Sequence, residues 1–273
     1  MKFQHKRFLS QLFFFFYANL GILNIKTGLC FPFFYCHACP TASSACPIRA
    51  VEQSVYKQSF AWKFLLYPLL ILGLVGTLFG RAVCGWACPI GFLQRCTAPA
   101  ARKVRKKPFA QKLGQHKIQR YLRYVKYGNL VGLAVVTSYL FGVMFTDICP
   151  IGFLTGTIPV LALNPGQYVP SSFFMIALII FILFIVLIFT VEQGWCRYFC
   201  PVGAILAPFN KISFLTVKVN KDECIHCNAC SNICPMGIDV PAMDRDPECT
   251  LCGKCITACP KKIISYERIA WKK

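Results

Sequence analysis

The sequence predicts a membrane α-helical fold: four transmembrane helices as a duplicated, pseudo-twofold pair of helical hairpins, followed by a small C-terminal α+β domain. Three observations predict it. Four apolar stretches run roughly from Phe8 to Ile25, Trp62 to Gly80, Tyr124 to Phe145 and Phe173 to Val191, near the ~20 residues that a bilayer-crossing helix needs. A Cys-x3-Cys-Pro motif follows the second and the fourth stretch at a spacing of 112 residues. The last 50 residues hold eight of the eighteen cysteines.

Composition agrees. Hydrophobic residues are 56% of the 273 and charged residues 15%, against ~45–50% and ~25% in an ordinary soluble domain. That balance excludes a soluble globular enzyme and a disordered tail protein. Eighteen cysteines beside four histidines would suggest disulfides in a small secreted chain, but their spacings point to metal.

The first stretch is the weakest, because Gln11 and Asn19 interrupt it. Lys2, Lys6 and Arg7 ahead of an apolar run also fit a cleaved signal peptide. No convincing Ala-x-Ala site follows, so it is read as a retained helix. Residues 81–126 carry twelve Lys/Arg, including Arg102, Lys103, Arg105, Lys106 and Lys107, and no Asp or Glu; residues 146–172 carry no Lys/Arg. By the positive-inside rule the chain is expected to be a multi-pass protein of the inner cell membrane. The N-terminus, the basic loop and the C-terminal domain are expected in the cytoplasm, with 26–61 and 146–172 outside. Much of the +20 net charge is then a topology signal rather than nucleic-acid recognition, with lipid or an acidic partner as a secondary contact. The expected units are a first hairpin with an outer cysteine loop (1–80), a basic loop (81–123), a second hairpin (124–217) and the C-terminal domain (218–273).

The C-terminal domain is the most specific part. From Lys218 onward the apolar runs shorten and seven of the ten acidic residues appear. Cys224-x2-Cys227-x2-Cys230-x3-Cys234-Pro235 precedes Cys249-x2-Cys252-x2-Cys255-x3-Cys259-Pro260. Each run has the bacterial two-cluster ferredoxin spacing, in which three cysteines bind one [4Fe–4S] cluster and the fourth binds its neighbour. Cys224, Cys227, Cys230 and Cys259 are therefore assigned to one cluster, and Cys249, Cys252, Cys255 and Cys234 to the other. Structural zinc is the alternative, but its Cys-x2-Cys pairs usually stand further apart.

The apolar part repeats itself. Cys84-Gly-Trp-Ala-Cys88-Pro89 answers Cys196-Arg-Tyr-Phe-Cys200-Pro201, and Cys46-Pro47-Ile48 answers Cys149-Pro150-Ile151. Proline is favoured at the first helical position, so each Cys-Pro is expected to set a cysteine at a helix start, where the helix dipole favours thiolate. A helical Cys-x3-Cys would put both sulfurs on one face. Sorted by side, Cys84, Cys88, Cys196 and Cys200 gather at the inner boundary, and Cys36, Cys39, Cys46 and Cys149 at the outer. Each set has the four thiols of one [4Fe–4S] cluster. For the outer set a disulfide pair stays open, and simple burial is the alternative for any of these cysteines. Cys30 and Cys96 are read as structural.

No Cys-x2-Cys-His motif occurs, and His5, His37, His116 and His226 lie outside the apolar stretches, so haem is not expected. His37 is read as a loop residue near the outer set. Glu52, Asp147 and Glu192 flank the stretches, as interfacial charges or as handlers of a quinol proton.

Taken together, four apolar stretches, paired Cys-x3-Cys-Pro motifs and a two-cluster C-terminal module resemble the membrane polyferredoxin family, which includes the quinol-oxidising membrane subunit of periplasmic nitrate-reductase systems. The resemblance implies [4Fe–4S] chemistry and carries Cys84, Cys88, Cys196 and Cys200 over as the family's Cys-x3-Cys-Pro cysteines; the outer set is additional to the simplest family pattern. The expected function is an integral membrane electron-transfer subunit of an oxidoreductase complex. It would relay electrons between a cytoplasmic ferredoxin or dehydrogenase and the membrane or outer face, where a multihaem cytochrome is the expected partner. Two rivals stay open. One is a quinol dehydrogenase subunit using quinone; the other is an accessory reductase for metal-cofactor assembly.

Overall fold

A computed structural model describes residues 2–36, 41–56, 62–105, 121–140, 142, 144–163 and 172–268. Helix α1 (Lys2–Ala18) leads through a loop, bridged between Cys30 and Ala45, to α2 (Pro47–Ser54) and α3 (Trp62–Phe79). Short α4 (Ala82–Trp86) and longer α5 (Pro89–Arg105) follow. Next, α6 (Val125–Gly128) passes through a π-helical segment (Asn129–Val136) into α7 (Thr137–Leu140). Then α8 (Pro150–Gly152) passes through a second π segment (Phe153–Thr157) into α9 (Ile158–Leu163). The rest of the helical body is α10 (Phe174–Thr190), α11 (Gly194–Tyr198) and α12 (Pro201–Leu206). The C-terminal part is small and α+β. Strands β1 (Leu215–Val219) and β2 (Ile264–Arg268) pair antiparallel, with Val219 opposite Ile264, and enclose α13 (Ala229–Asn232) and α14 (Lys254–Ala258).

The four transmembrane helices are not found: no helix among the described residues is long and apolar enough to cross a membrane. The physical reasons differ along the chain. Helix α1 carries Gln4, His5, Lys6 and Arg7 in its first two turns and buries Arg7 and Gln11 completely, so only part of its 17 residues is apolar surface. At 1.5 Å per residue, the 17-residue α10 is about 26 Å long and the 18-residue α3, with Pro68 inside it, about 27 Å, short of the ~30 Å hydrocarbon core. The third apolar stretch is broken by its π segment. The inner and outer sides deduced from those spans lose their basis with them.

What survives is the sequence logic of the helix starts. Pro47, Pro150 and Pro201 are the first residues of α2, α8 and α12, and Cys46, Cys149 and Cys200 are their N-caps. Proline belongs there because its missing N–H would be unpaired in the first turn anyway. Pro89 likewise opens α5, one residue after Cys88. The Cys-x3-Cys segments are not single helices, however. Each breaks at the second cysteine: α4 ends at Trp86 and α11 at Tyr198.

Two apolar cores form among the described residues. The larger joins Phe31, Phe34, Ile48, Leu72, Ile151, Phe184, Trp195 and Leu206, with Cys46, Cys84, Cys88, Cys149 and Cys200 embedded in it. The smaller joins Val217, Val219, Val240, Leu251 and Ile264 of the C-terminal part to Ala82 and Trp86 of α4. Burying each large aliphatic or aromatic side chain contributes about 1.5–3 kcal/mol, so the C-terminal part is fastened to the helical body by the same force that folds it.

Candidate functional site

The ferredoxin-spaced cysteines line two cavities. Cys224, Cys227, Cys230 and Cys259 line one of about 370 Å³, with Val219, Ile225 and Ile264. Cys234, Cys249, Cys252 and Cys255 line a second of about 370 Å³, with Val217, Met236 and Val240. Cys259 thus lies beside the first run and Cys234 beside the second. Burial, and then its neighbours Cys252 and Cys234, push the Cys255 thiol up to about 12.

Cys84, Cys88, Cys196 and Cys200 come together where α4 meets α5 and α11 meets α12. All four are buried, and Cys196 has Cys200, Cys88 and Cys84 as electrostatic neighbours. Burial, and then Cys84, push the Cys200 thiol up to about 12, against a backbone hydrogen bond from Gly203 and the charges of Arg81 and Lys126. Gln94 Nε2 donates to Cys196 Sγ at 3.1 Å, while Gln94 Oε1 accepts from the Trp195 backbone N–H. Gly91 is required because a Cβ there would lie 2.6 Å from the Cys84 carbonyl oxygen.

Around this set lie charges that the spacing of cysteines did not reveal. Arg81 and Lys126 are fully buried and share one carboxylate, Glu248, with Arg81 Nη1 at 2.7 Å from Glu248 Oε2. Burial works against all three charges. Even so, the two cations hold Glu248 below its ordinary value, and Glu248 holds Arg81 above its own. Burial and the Arg81 charge push Lys126 down to about 8. Two cations against one anion leave an excess positive charge beside four thiols.

Cys36, Cys46 and Cys149 line a cavity of about 210 Å³ with Phe34, Tyr35 and Thr146. Cys39 and His37 lie outside the described residues, as do Lys106 and Lys107 of the basic run. Burial pushes the Cys46 thiol up to about 12. No apolar span separates this set from the previous one: Cys88 Sγ lies 4.0 Å from the Phe34 carbonyl oxygen, and the Phe34 ring stacks on Trp195 at 6.3 Å. Behind the cavity Glu52 is fully buried and accepts from the Thr146 backbone N–H and hydroxyl. Of the other acids singled out by sequence, Asp147 pairs with Arg49 at 2.9 Å, and Glu192 with Arg102 and Lys254 at 3.4 and 3.6 Å. Cys30 is buried and Cys96 exposed, and neither lines these cavities.

The second ferredoxin cavity abuts the Cys84 turn. Trp86 Nε1 and the Tyr266 hydroxyl both donate to the Leu251 carbonyl, at 2.9 and 2.6 Å. Asn210 accepts from the Arg81 backbone N–H and donates to the Cys249 carbonyl. Only glycine fits at position 85, since a Cβ would lie 2.3 Å from the Thr250 carbonyl oxygen.

Among the described residues no group of three or more His, Cys, Asp or Glu is placed to hold a single metal ion. A tetrahedral thiolate zinc site, with Zn–S near 2.3 Å, would draw its sulfurs to about 3.8 Å apart. Thiols spread around cavities suit a multi-iron cluster better, and its negative charge matches the unbalanced cations Arg81 and Lys126. The donor sets therefore fit [4Fe–4S] clusters.

Comparison with known proteins agrees with that chemistry. Two 4Fe-4S binding domain family models match, one over residues 60–108 and 173–220 and the other over 217–238. The Methanocaldococcus jannaschii protein MJ0750 is 33% identical over 239 residues, covering 85% of this chain and 90% of its own. The ferredoxin-type protein NapH of Haemophilus influenzae is 25% identical over 213 residues, 74% of this chain and 67% of its own. Protein NirI of Paracoccus denitrificans is 30% identical over 205 residues, 72% of this chain but 28% of its own. No solved structure matches the chain.

Proposed function

Because the chain belongs to the polyferredoxin-type 4Fe-4S family, with an iron–sulfur electron-transfer role and other redox subunits as partners, we propose that its cysteines form four cluster-binding sets in one continuous series. The series runs from Cys224, Cys227, Cys230 and Cys259 to Cys234, Cys249, Cys252 and Cys255. It continues with Cys84, Cys88, Cys196 and Cys200, and ends at Cys36, Cys46 and Cys149, with Cys39 as the fourth ligand of the last set. The supporting observation is the contact between successive sets: Leu251 against Trp86, then Cys88 against Phe34. When bound, [4Fe–4S] clusters supply one-electron redox chemistry. The chain's own residues bury the thiols, fix their order and place Arg81 and Lys126 as counter-charge.

One end of the series reaches the surface: Cys227 is exposed and Ile225 beside it is 56% exposed. A soluble redox partner, a ferredoxin or a dehydrogenase, docks there in this reading, and a multihaem cytochrome meets the Cys36 end. Exposed apolar residues on α1, α3 and α10, such as Phe13, Leu70 and Leu183, suit attachment to a membrane.

Iron and labile sulfide per chain test the proposal. Four cubanes require about sixteen irons, and the ferredoxin-spaced cysteines alone about eight. A value near eight in fully reconstituted protein overturns the two sets in the helical body.

A further inference from the structure

The first helix does something the series of cysteines does not explain. Arg7, on α1, is fully buried. Its Nε donates to the Gly85 carbonyl at 2.7 Å, a carbonyl that also accepts from Gln11 Nε2 at 2.9 Å. Its two terminal nitrogens, Nη1 and Nη2, are buried with no hydrogen-bond partner, and among the described residues no carboxylate pairs with it. A buried guanidinium left this way is costly unless an anion stands near it.

The surroundings add more positive charge. Arg95 and Lys254 both feel Arg7 as a like charge. Glu192 is already held by Lys254 and Arg102. What lies close to Arg7 instead is cysteine. Gly85 follows Cys84 directly, and the same end of α1 reaches the second ferredoxin loop, where Gln4 Nε2 donates to the Cys252 carbonyl at 3.3 Å. Phe3 packs edge-on against Trp86 at 5.3 Å and leaves no room for a side chain at Gly253. Helix α1 is therefore wedged between two adjacent thiol sets and carries an uncompensated cation into the gap.

We propose that Arg7 is a positioning residue for electron transfer, supplying the counter-charge shared by the clusters at Cys84/Cys88/Cys196/Cys200 and at Cys234/Cys249/Cys252/Cys255. It rests on the cluster reading above. A cation beside a cluster stabilises its reduced, more negative form, so Arg7 holds both potentials up; each reduction adds one electron from the titrating reductant.

The test is an EPR-monitored redox titration of the full-length, iron-loaded chain. Arg7→Gln should weaken reduction of both clusters about tenfold, a fall of about 59 mV for one electron, and leave the Cys224/Cys227/Cys230/Cys259 cluster unmoved. Arg7→Lys keeps the charge and should keep both midpoints. Unmoved midpoints in a fully loaded Arg7→Gln protein overturn the proposal. Should Arg7→Gln not fold, a loaded Arg7→Lys protein with both midpoints lowered overturns it equally. An iron content near eight in the unsubstituted chain instead overturns the cluster reading and is told apart by that count.

Discussion

The Cys88 sulfur lies 4.0 Å from the carbonyl oxygen of Phe34, and Phe34 is two residues from Cys36. Two thiol sets assigned by sequence to opposite sides of a membrane are thereby neighbours. With clusters in both, their unpaired spins should interact when both are reduced, giving a broadened EPR spectrum. Cys149→Ser should remove one signal, sharpen the signal of the Cys84/Cys88/Cys196/Cys200 site, and spare the ferredoxin signals. Unchanged spectra in that variant would contradict the placement.

Glu248 is the sole carboxylate in contact with Arg81 and Lys126 among the described residues. Glu248→Gln leaves two buried cations without their anion, and breaking a buried pair this way costs about 3–5 kcal/mol. Denaturant unfolding should show a loss of that size. A loss below about 1 kcal/mol, typical of a surface pair, would mean the three charges are not buried together.

Glu52 sets a pH dependence. Burial pushes its carboxyl up to about 7, outweighing Thr146 and Arg49, which pull it down. The folded value lies above the unfolded one near 4.5, so the folded state holds an extra proton between the two. The contribution of Glu52 to stability is accordingly fullest below about pH 4.5 and is lost as pH rises to 7, by about 3 kcal/mol for the whole shift. Glu52→Gln should flatten that slope in unfolding curves taken across the range; an unaltered slope would assign it to other groups.

Gly85→Ala forces a Cβ to within 2.3 Å of the Thr250 carbonyl. Backbone on both sides must shift, at a cost of about 1–3 kcal/mol, and Trp86 should lose its bond to Leu251. Limited proteolysis should then cut between the helical body and the C-terminal part at protease levels that leave the unsubstituted chain intact.

Much of this was legible in the residues. The interleaved pattern at Cys234 and Cys259 follows from spacing, because three closely spaced thiols can wrap one group and leave the fourth to its neighbour. The helix starts at Pro47, Pro150 and Pro201 follow from proline geometry. The charged residues were harder. Arg81 and Lys126 read as parts of a positive-inside signal and Arg7 as the basic flank of an apolar run, since neither reading carries information about burial. Only the fold shows Arg81 and Lys126 converging on Glu248, more than a hundred residues away, and Arg7 beneath Gly85. Hydropathy misjudged the helices for a related reason: it scored apolar content, which sets neither where α3 and α10 end nor the π segment at Asn129–Val136.

Ala82 and Trp86 belong to the same apolar core as Val217 and Ile264. A swinging carrier must let go of one partner to reach the next, and its rate then depends on solvent viscosity. This joint has nothing to release. Transfer between the C-terminal cysteines and the helical body should proceed through a solid contact, at a rate indifferent to glycerol or sucrose, and only the docking of an outside partner should slow as the medium thickens.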